Sequence, residues 1–274
     1  MTDALRSLRV DRGGLPHVVE VVLIGPGKGN AFGPEFWAEA PGVFAQLGAD
    51  PEVRALVVRG EGSHFTYGLD LMAMGPVVLP LVTGGAAERA RLVEAGEGLQ
   101  RAFRAVAACS KPVIAAIDGW CIGAGVELAC ACDVRLCTTS ARFSLREVKV
   151  SMVSDLGGLQ RLPFIVGEGH AREMALTGDD YDAAAAERMG LVNAVLEDSV
   201  ELLARARALA ARIAANPPLA VAATKRVMNA RIDDSVNRGL REALMQNTSV
   251  MPSADFQEAI AAFIERRPPV FEGR

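Results

Sequence analysis

The chain has 274 residues, half of them hydrophobic, and carries 33 acidic side chains against 29 basic ones. That length and apolar content can bury a sizeable core and suit one large domain, or one domain with an appendage. A formal charge of −4 excludes nucleic acid as the main partner, because phosphate binding needs a basic surface; an anionic small molecule would have to meet a few local Lys or Arg residues.

The opening residues MTDALRSLRV lack the long apolar segment of a signal peptide, and no uninterrupted apolar run is long enough to span a bilayer. Val18 to Ile24 is rich in β-branched residues and ends at Gly25-Pro26-Gly27, which predicts a strand and a turn, with a loop continuing through Lys28, Gly29 and Asn30. Pro34 suits the first turn of a helix bearing Phe36, Trp37, Val43, Phe44 and Leu47, although Pro41-Gly42 should disturb it. Arg54 to Gly60 predicts a second buried strand, followed by a glycine-containing loop from Glu61 to Asp70. Pro76, Pro80 and Gly84-Gly85 predict a mobile or variable loop over residues 71–85. A long amphipathic helix is expected from about Ala86 to Ala108.

Val113 to Ile117 predicts a third buried strand, which breaks at Asp118-Gly119 before the turn Gly123-Ala124-Gly125 opens a helix. Val134 to Cys137 predicts another strand, and Ala141 to Val150 alternates in part. From Glu168 the chain is alanine-rich helix with a strand-like break at Leu191 to Leu196. Asp198 caps a helix that ends at Asn216-Pro217-Pro218, and three helical stretches follow to about Glu265. A boundary near residue 197 separates an α/β core, 1–197, from a helical region, 198–274, too short for a generous core of its own. Strands alternating with helices imply right-handed crossovers and a largely parallel sheet, with ligands at the loops beyond the strand C-termini.

The five cysteines lie in apolar or strand-like surroundings and read as buried thiols; Cys130-Ala131-Cys132 lacks a second pair at zinc spacing, so no metal site is expected. The three histidines form no metal-ligand pattern. The C-terminus PPVFEGR carries no peroxisomal address, and a soluble cytoplasmic protein is the expectation.

Chemistry concentrates in residues 111–163, where Glu127, Glu147 and Asp155 follow the glycine turn. Each acid has a structural explanation: Glu127 suits a helix first turn, Glu147 a charged strand, and Asp155 a helix N-cap. Together, carboxylates in an apolar pocket acquire raised pKa values suited to moving protons. Two loops that each offer one backbone N–H, from Tyr67 and from Ala124, would form a minimal oxyanion hole for a thioester carbonyl becoming an enolate.

Residues 111–163 strongly resemble the crotonase superfamily, the enoyl-CoA hydratase/isomerase family, and the similarity extends over nearly the whole chain. Gly62 to Asp70 resembles its first oxyanion loop, Gly123 to Leu128 its second, and Phe143 to Val150 the segment with its second catalytic acid. The resemblance implies a spiral of repeated ββα turns and a C-terminal helical region that packs between subunits in a homotrimer or a dimer of trimers. It assigns the oxyanion hole to the Tyr67 and Ala124 amides, where family members most often have Ala and Gly. It also offers Lys28, Lys225 and Phe263 for coenzyme A, which is part of the substrate, so no separate cofactor is implied.

Glu127 and Glu147 match a hydratase, which adds water to a 2-enoyl-CoA. The run from Ser154 to Pro163, SDLGGLQRLP, more closely resembles the dienoyl-CoA isomerase branch, as do Phe65 to Met72 and Cys121-Ile122-Gly123, although that branch usually has Asp in place of Glu127. A 3,5-diene that becomes a 2,4-diene loses a proton near the carbonyl and gains one far along the chain, which gives Glu147 and Asp155 separate work, with Glu127 auxiliary. Isomerisation is the favoured expectation, hydration the alternative, and a non-catalytic binding protein of the same fold the reading from another class.

Overall fold

The structure, a computed structural model, describes residues 5–274. In chain order the first half contains β1 (Leu8–Leu15), β2 (Val18–Leu23), α1 (Pro34–Ala49), β3 (Ala55–Gly60), α2 (Leu71–Thr83), α3 (Ala86–Ala108), β4 (Val113–Ile117), β5 (Trp120–Ile122) and α4 (Ala124–Ala131). The second half contains β6 (Val134–Thr138), β7 (Arg142–Ser144), α5 (Gly158–Val166), α6 (Glu168–Thr177), β8 (Tyr181–Asp182), α7 (Ala183–Arg188), β9 (Ala194–Leu196), α8 (Ser199–Ala214), α9 (Pro218–Ala230), α10 (Asp233–Val250) and α11 (Ala254–Glu265).

The large sheet runs β1-β2-β3-β4-β6-β9 and is parallel from β2 onward, while β5, β7 and β8 form a small second sheet. A bridge between Thr66 and Cys121 brings the loop after β3 to the free edge of β5. Successive turns of the chain therefore place one segment in each sheet before entering a helix, which gives the spiral of ββα units. The expected α/β spiral with C-terminal helices is the observed fold.

Strands buried on both faces read as continuous apolar runs. In β3, Leu56 and Val58 join the main core with Phe36, Phe44 and Phe103, whereas Ala55 and Val57 face Leu202, Ala206, Ala210 and Ala214 of α8. Those α8 residues recur every four positions, so one helical face covers the sheet, and three of them are alanines that permit close approach. The change in composition near residue 197 accordingly marks no break in packing, because α8 is the outer layer of the core.

Two expectations change, and one strand is added. Residues 71–83 are helical rather than a loop: Asp70 caps α2 by accepting the N–H groups of Met72 (3.1 Å) and Ala73 (2.9 Å), and buried Met74 and Val82 anchor it despite Pro76 and Pro80. Helix α1 continues through Pro41-Gly42, held by buried Phe36, Trp37, Ala40, Val43 and Phe44. Strand β1 is the added one: Leu8-Arg9-Val10-Asp11 alternates over only four residues before Gly13-Gly14, and it is an edge strand with an irregular register between Asp11 and Leu15. Among the described residues, no helix is long and apolar enough to cross a membrane.

Candidate active site

The site is built where two turns meet. Gly123 precedes α4 with φ +53° and ψ −118°, a conformation that favours glycine, and a Cβ there would lie 2.8 Å from Glu147 Oε1. Its N–H donates to Ser144 O at 2.7 Å, which ties the turn to β7. The next N–H groups, from Ala124 and Gly125, open a fully buried helix and have no acceptor among the described residues. Gly68, at φ +78°, brings the loop after β3 against this turn: a Cβ on it would strike Ile122 O and lie 3.1 Å from Ala124 N.

The first loop does not offer the Tyr67 amide to an oxyanion. The Tyr67 N–H already donates to Gly29 O at 2.9 Å. Thr66 N–H donates to Trp120 O (3.0 Å), Gly68 N–H to Thr66 Oγ1 (3.0 Å) and Asp70 N–H to Phe32 O (3.1 Å). Leu69 alone in this run has an N–H without an acceptor among the described residues. Its geometry follows from the parallel bridge between Phe32 and Leu69, which uses the groups on either side of Leu69 and leaves its own N–H on the opposite edge. Asn30 braces the loop: its Nδ2 donates to Glu61 O (3.0 Å) and His64 O (2.8 Å), and its carbonyl accepts the Thr66 hydroxyl at 2.8 Å.

The three acids converge from separate elements, and their surroundings differ. Glu127 is buried on α4, and its Oε2 accepts the N–H groups of Leu156 (2.9 Å) and Gly158 (2.6 Å). Glu147 begins a 3-10 turn, Glu147–Val150, rather than lying in a strand, and its buried Oε2 has no hydrogen-bond partner among the described residues. Neighbouring Arg146 does not neutralise it, because that guanidinium donates to both oxygens of Asp180 at 2.6 and 2.8 Å. Asp155 is not a helix cap, since Gly157 occupies that position before α5. Its Oδ2 instead accepts Asn247 Nδ2 at 2.8 Å from α10, and its carbonyl accepts Gln100 Nε2 at 2.7 Å from α3.

Burial pushes the Glu147 carboxyl up to about 7, with a further push from Asp155. Burial likewise raises Asp155 to about 6, although the Asn247 hydrogen bond opposes the rise. Glu127 is raised well above the usual carboxylate range by burial and then by the charges of Glu147 and Asp155, against the opposing Gly158 N–H bond. Acids held near neutrality in this way can exchange protons at physiological pH. The five cysteines are buried free thiols, as expected, and burial raises Cys130, Cys132 and Cys137 to about 12, so they stay protonated and chemically quiet.

The residues offered for coenzyme A do not share this convergence. Lys28 is exposed on the 3-10 turn Lys28–Asn30, and Phe263 is half-exposed on α11. Lys225 is unsuited to phosphate: its buried ammonium pairs with Asp133 Oδ2 at 2.7 Å and donates to Lys111 O at 3.1 Å. Leu69, Gln100 and Asn247 escaped notice in the sequence because a backbone amide and two neutral amide side chains carry no motif.

The sequence pattern described as Enoyl-CoA hydratase/isomerase matches residues 16–274, and the chain belongs to that family. It is 40% identical over 272 residues to the mitochondrial Delta(3,5)-Delta(2,4)-dienoyl-CoA isomerase of Dictyostelium discoideum, covering 97% of this chain and 92% of that protein. It is 37% identical to the peroxisomal enzyme of the same description from Arabidopsis thaliana, covering 93% and 92%. The crystal structure of an enoyl-CoA hydratase from Mycobacterium avium subsp. paratuberculosis K-10 superposes with a TM-score of 0.82 at 28% identity, covering 98% of this chain and 100% of that one.

Proposed function

We propose that this acyl-CoA enzyme converts a 3,5-dienoyl-CoA into the 2,4-dienoyl isomer. The observation that carries the reading is the third acid: the charge of Asp155 acts on Glu147, and both carboxyls are raised, to about 6 and about 7. The thioester oxygen would accept the N–H groups of Leu69 and Ala124, which stabilise the charge of the extended dienolate. One of Glu147 and Asp155 removes the proton at C2, and the other delivers a proton to C6, so the double bonds shift with no net change in atoms. Coenzyme A enters as part of the substrate, and the chemistry requires no separate cofactor. Likeness to the Dictyostelium and Arabidopsis isomerases supports the same choice.

Hydration of a 2-enoyl-CoA is the competing reading, favoured by the presence of Glu127 and Glu147 together. Against it, Glu127 Oε2 accepts two backbone N–H groups, which occupies one of the two oxygens that would share a water with Glu147. Purified protein offered each substrate separately, with ultraviolet absorbance followed, distinguishes the two. Rapid conversion of the diene is expected; hydration without diene conversion would overturn the isomerase reading. Exposed Leu219, Val227 and Met228 on α9 support a further proposal that the C-terminal helices pack against other copies, as a homotrimer or a dimer of trimers. Sedimentation of a monomer at micromolar concentration would refute it.

A further inference from the structure

We infer that Asn247, reaching into the site from α10, is a positioning residue that keeps Asp155 the ionised member of the proton-transferring pair and leaves Glu147 the protonated one. This inference rests on the proton-shuttle reading above. Asn247 is 1% exposed and uses its amide three times: Oδ1 accepts Val153 N–H at 2.8 Å, while Nδ2 donates to Val153 O at 2.9 Å and Asp155 Oδ2 at 2.8 Å. The two bonds to Val153 fix which end of the amide is which, because a flipped side chain would set oxygen against oxygen and N–H against N–H. A donor is therefore held toward Asp155 and cannot rotate into an acceptor.

Glu147 has no side-chain equivalent: its Oε2 lacks any partner among the described residues, and its one opposing bond comes from its own backbone N–H, as Asp155 also has. Each further N–H bond stabilises a carboxylate in its charged form, so the acid with the extra donor is the one that ionises first. Two neighbouring acids thus acquire different resting states from one amide. The other titratable groups facing Asp155 are Glu127 from α4 and Glu147 from the 3-10 turn, and both carry the same sign of charge. Gln100 from α3 is neutral; its Nε2 bridges Asp155 O and Leu240 O (3.1 Å), which fastens the acid's backbone to α10. The reaction then starts with Asp155 as base and Glu147 as acid.

The test is the pH dependence of kcat/KM with a 3,5-dienoyl-CoA for the wild type, Asn247→Leu and the isosteric Asn247→Asp, each checked for intact fold by near-ultraviolet circular dichroism. Loss of the donor should move the acid limb to higher pH by about one unit or more, as the Asp155 carboxylate loses a charge-assisted bond. Asn247→Asp should move it at least as far, because a second carboxyl faces the first. A folded Asn247→Asp enzyme whose acid limb stays in place, or whose rate falls equally at every pH, would overturn the inference. Asp155→Asn separates the two layers: an active Asp155→Asn enzyme would refute the proton-shuttle reading, whereas an inactive one beside unshifted Asn247 profiles would refute only the role of Asn247.

Discussion

Glu20 on the large sheet and the three acids of the site solve opposite problems. Glu20, on the α8 side of the large sheet, is 7% exposed and accepts Arg207 Nε at 2.6 Å and Arg59 Nε at 2.8 Å. Burial alone would raise its pKa, but the bonds from Arg207 and Arg59 more than reverse that and hold it below the ordinary value. Glu127 is buried and Glu147 and Asp155 are half-buried, yet among the described residues no arginine or lysine pairs with them, and all are raised. The same side-chain chemistry therefore serves structure where a cation is supplied and reactivity where it is withheld. Withholding it costs stability, which functional sites commonly sacrifice.

Removing the proton carriers should produce the largest effects. Asp155→Asn and Glu147→Gln are each expected to lower kcat for diene isomerisation by about 10²- to 10⁴-fold; steady-state kinetics on folded protein checks this. The glycine that admits Glu147 comes next. Gly123→Ala forces a side chain into a glycine conformation and against Glu147 Oε1, so it should cost about 1–3 kcal/mol in denaturant unfolding as well as activity.

Stability should then separate the two acid groups by sign. Glu147 has a folded pKa of about 7, above its unfolded value, so its ionisation opposes folding increasingly as pH rises from about 4 and fully above 7. Glu147→Gln should consequently stabilise the protein by roughly 1–3 kcal/mol at pH 8 and by almost nothing at pH 4. Glu20 has a depressed pKa, so its contribution is present above the unfolded value and fades as pH falls through the folded one. Glu20→Gln should destabilise by about 1–3 kcal/mol at neutral pH, with a smaller deficit in acid. Urea titrations at the two pH values would expose a wrong sign in either case. The smallest catalytic effect is expected at Lys225→Met, which leaves Asp133 without its ammonium partner: Tm should fall while KM for acyl-CoA stays within about threefold.

Much of this architecture was legible because it rests on local patterns. The β-branched strands, the glycine turn at Gly123 and the three acids all show in the sequence. What stayed hidden depends on long-range partners. Tyr67 and Leu69 are indistinguishable as amide donors until the register against Gly29 and Phe32 shows which N–H is occupied. Asp155 reads locally as a helix cap, and its actual partner, Asn247, lies 92 residues away. Lys225 reads as an exposed helical lysine because Asp133, also 92 residues distant, has no sequence signal as its partner. The prolines of α2 pointed to a loop, whereas the Asp70 cap and two buried anchors sustain a helix.

The most direct test of the third acid's role is a paired assay of wild type and Asp155→Asn on a 3,5-dienoyl-CoA and a 2-enoyl-CoA. The wild type should isomerise the diene far faster than it hydrates the enoyl thioester, and Asp155→Asn should lose the isomerisation while remaining folded. Full isomerase activity in Asp155→Asn, or a wild type that only hydrates, would contradict the assignment of Asp155 as a proton carrier.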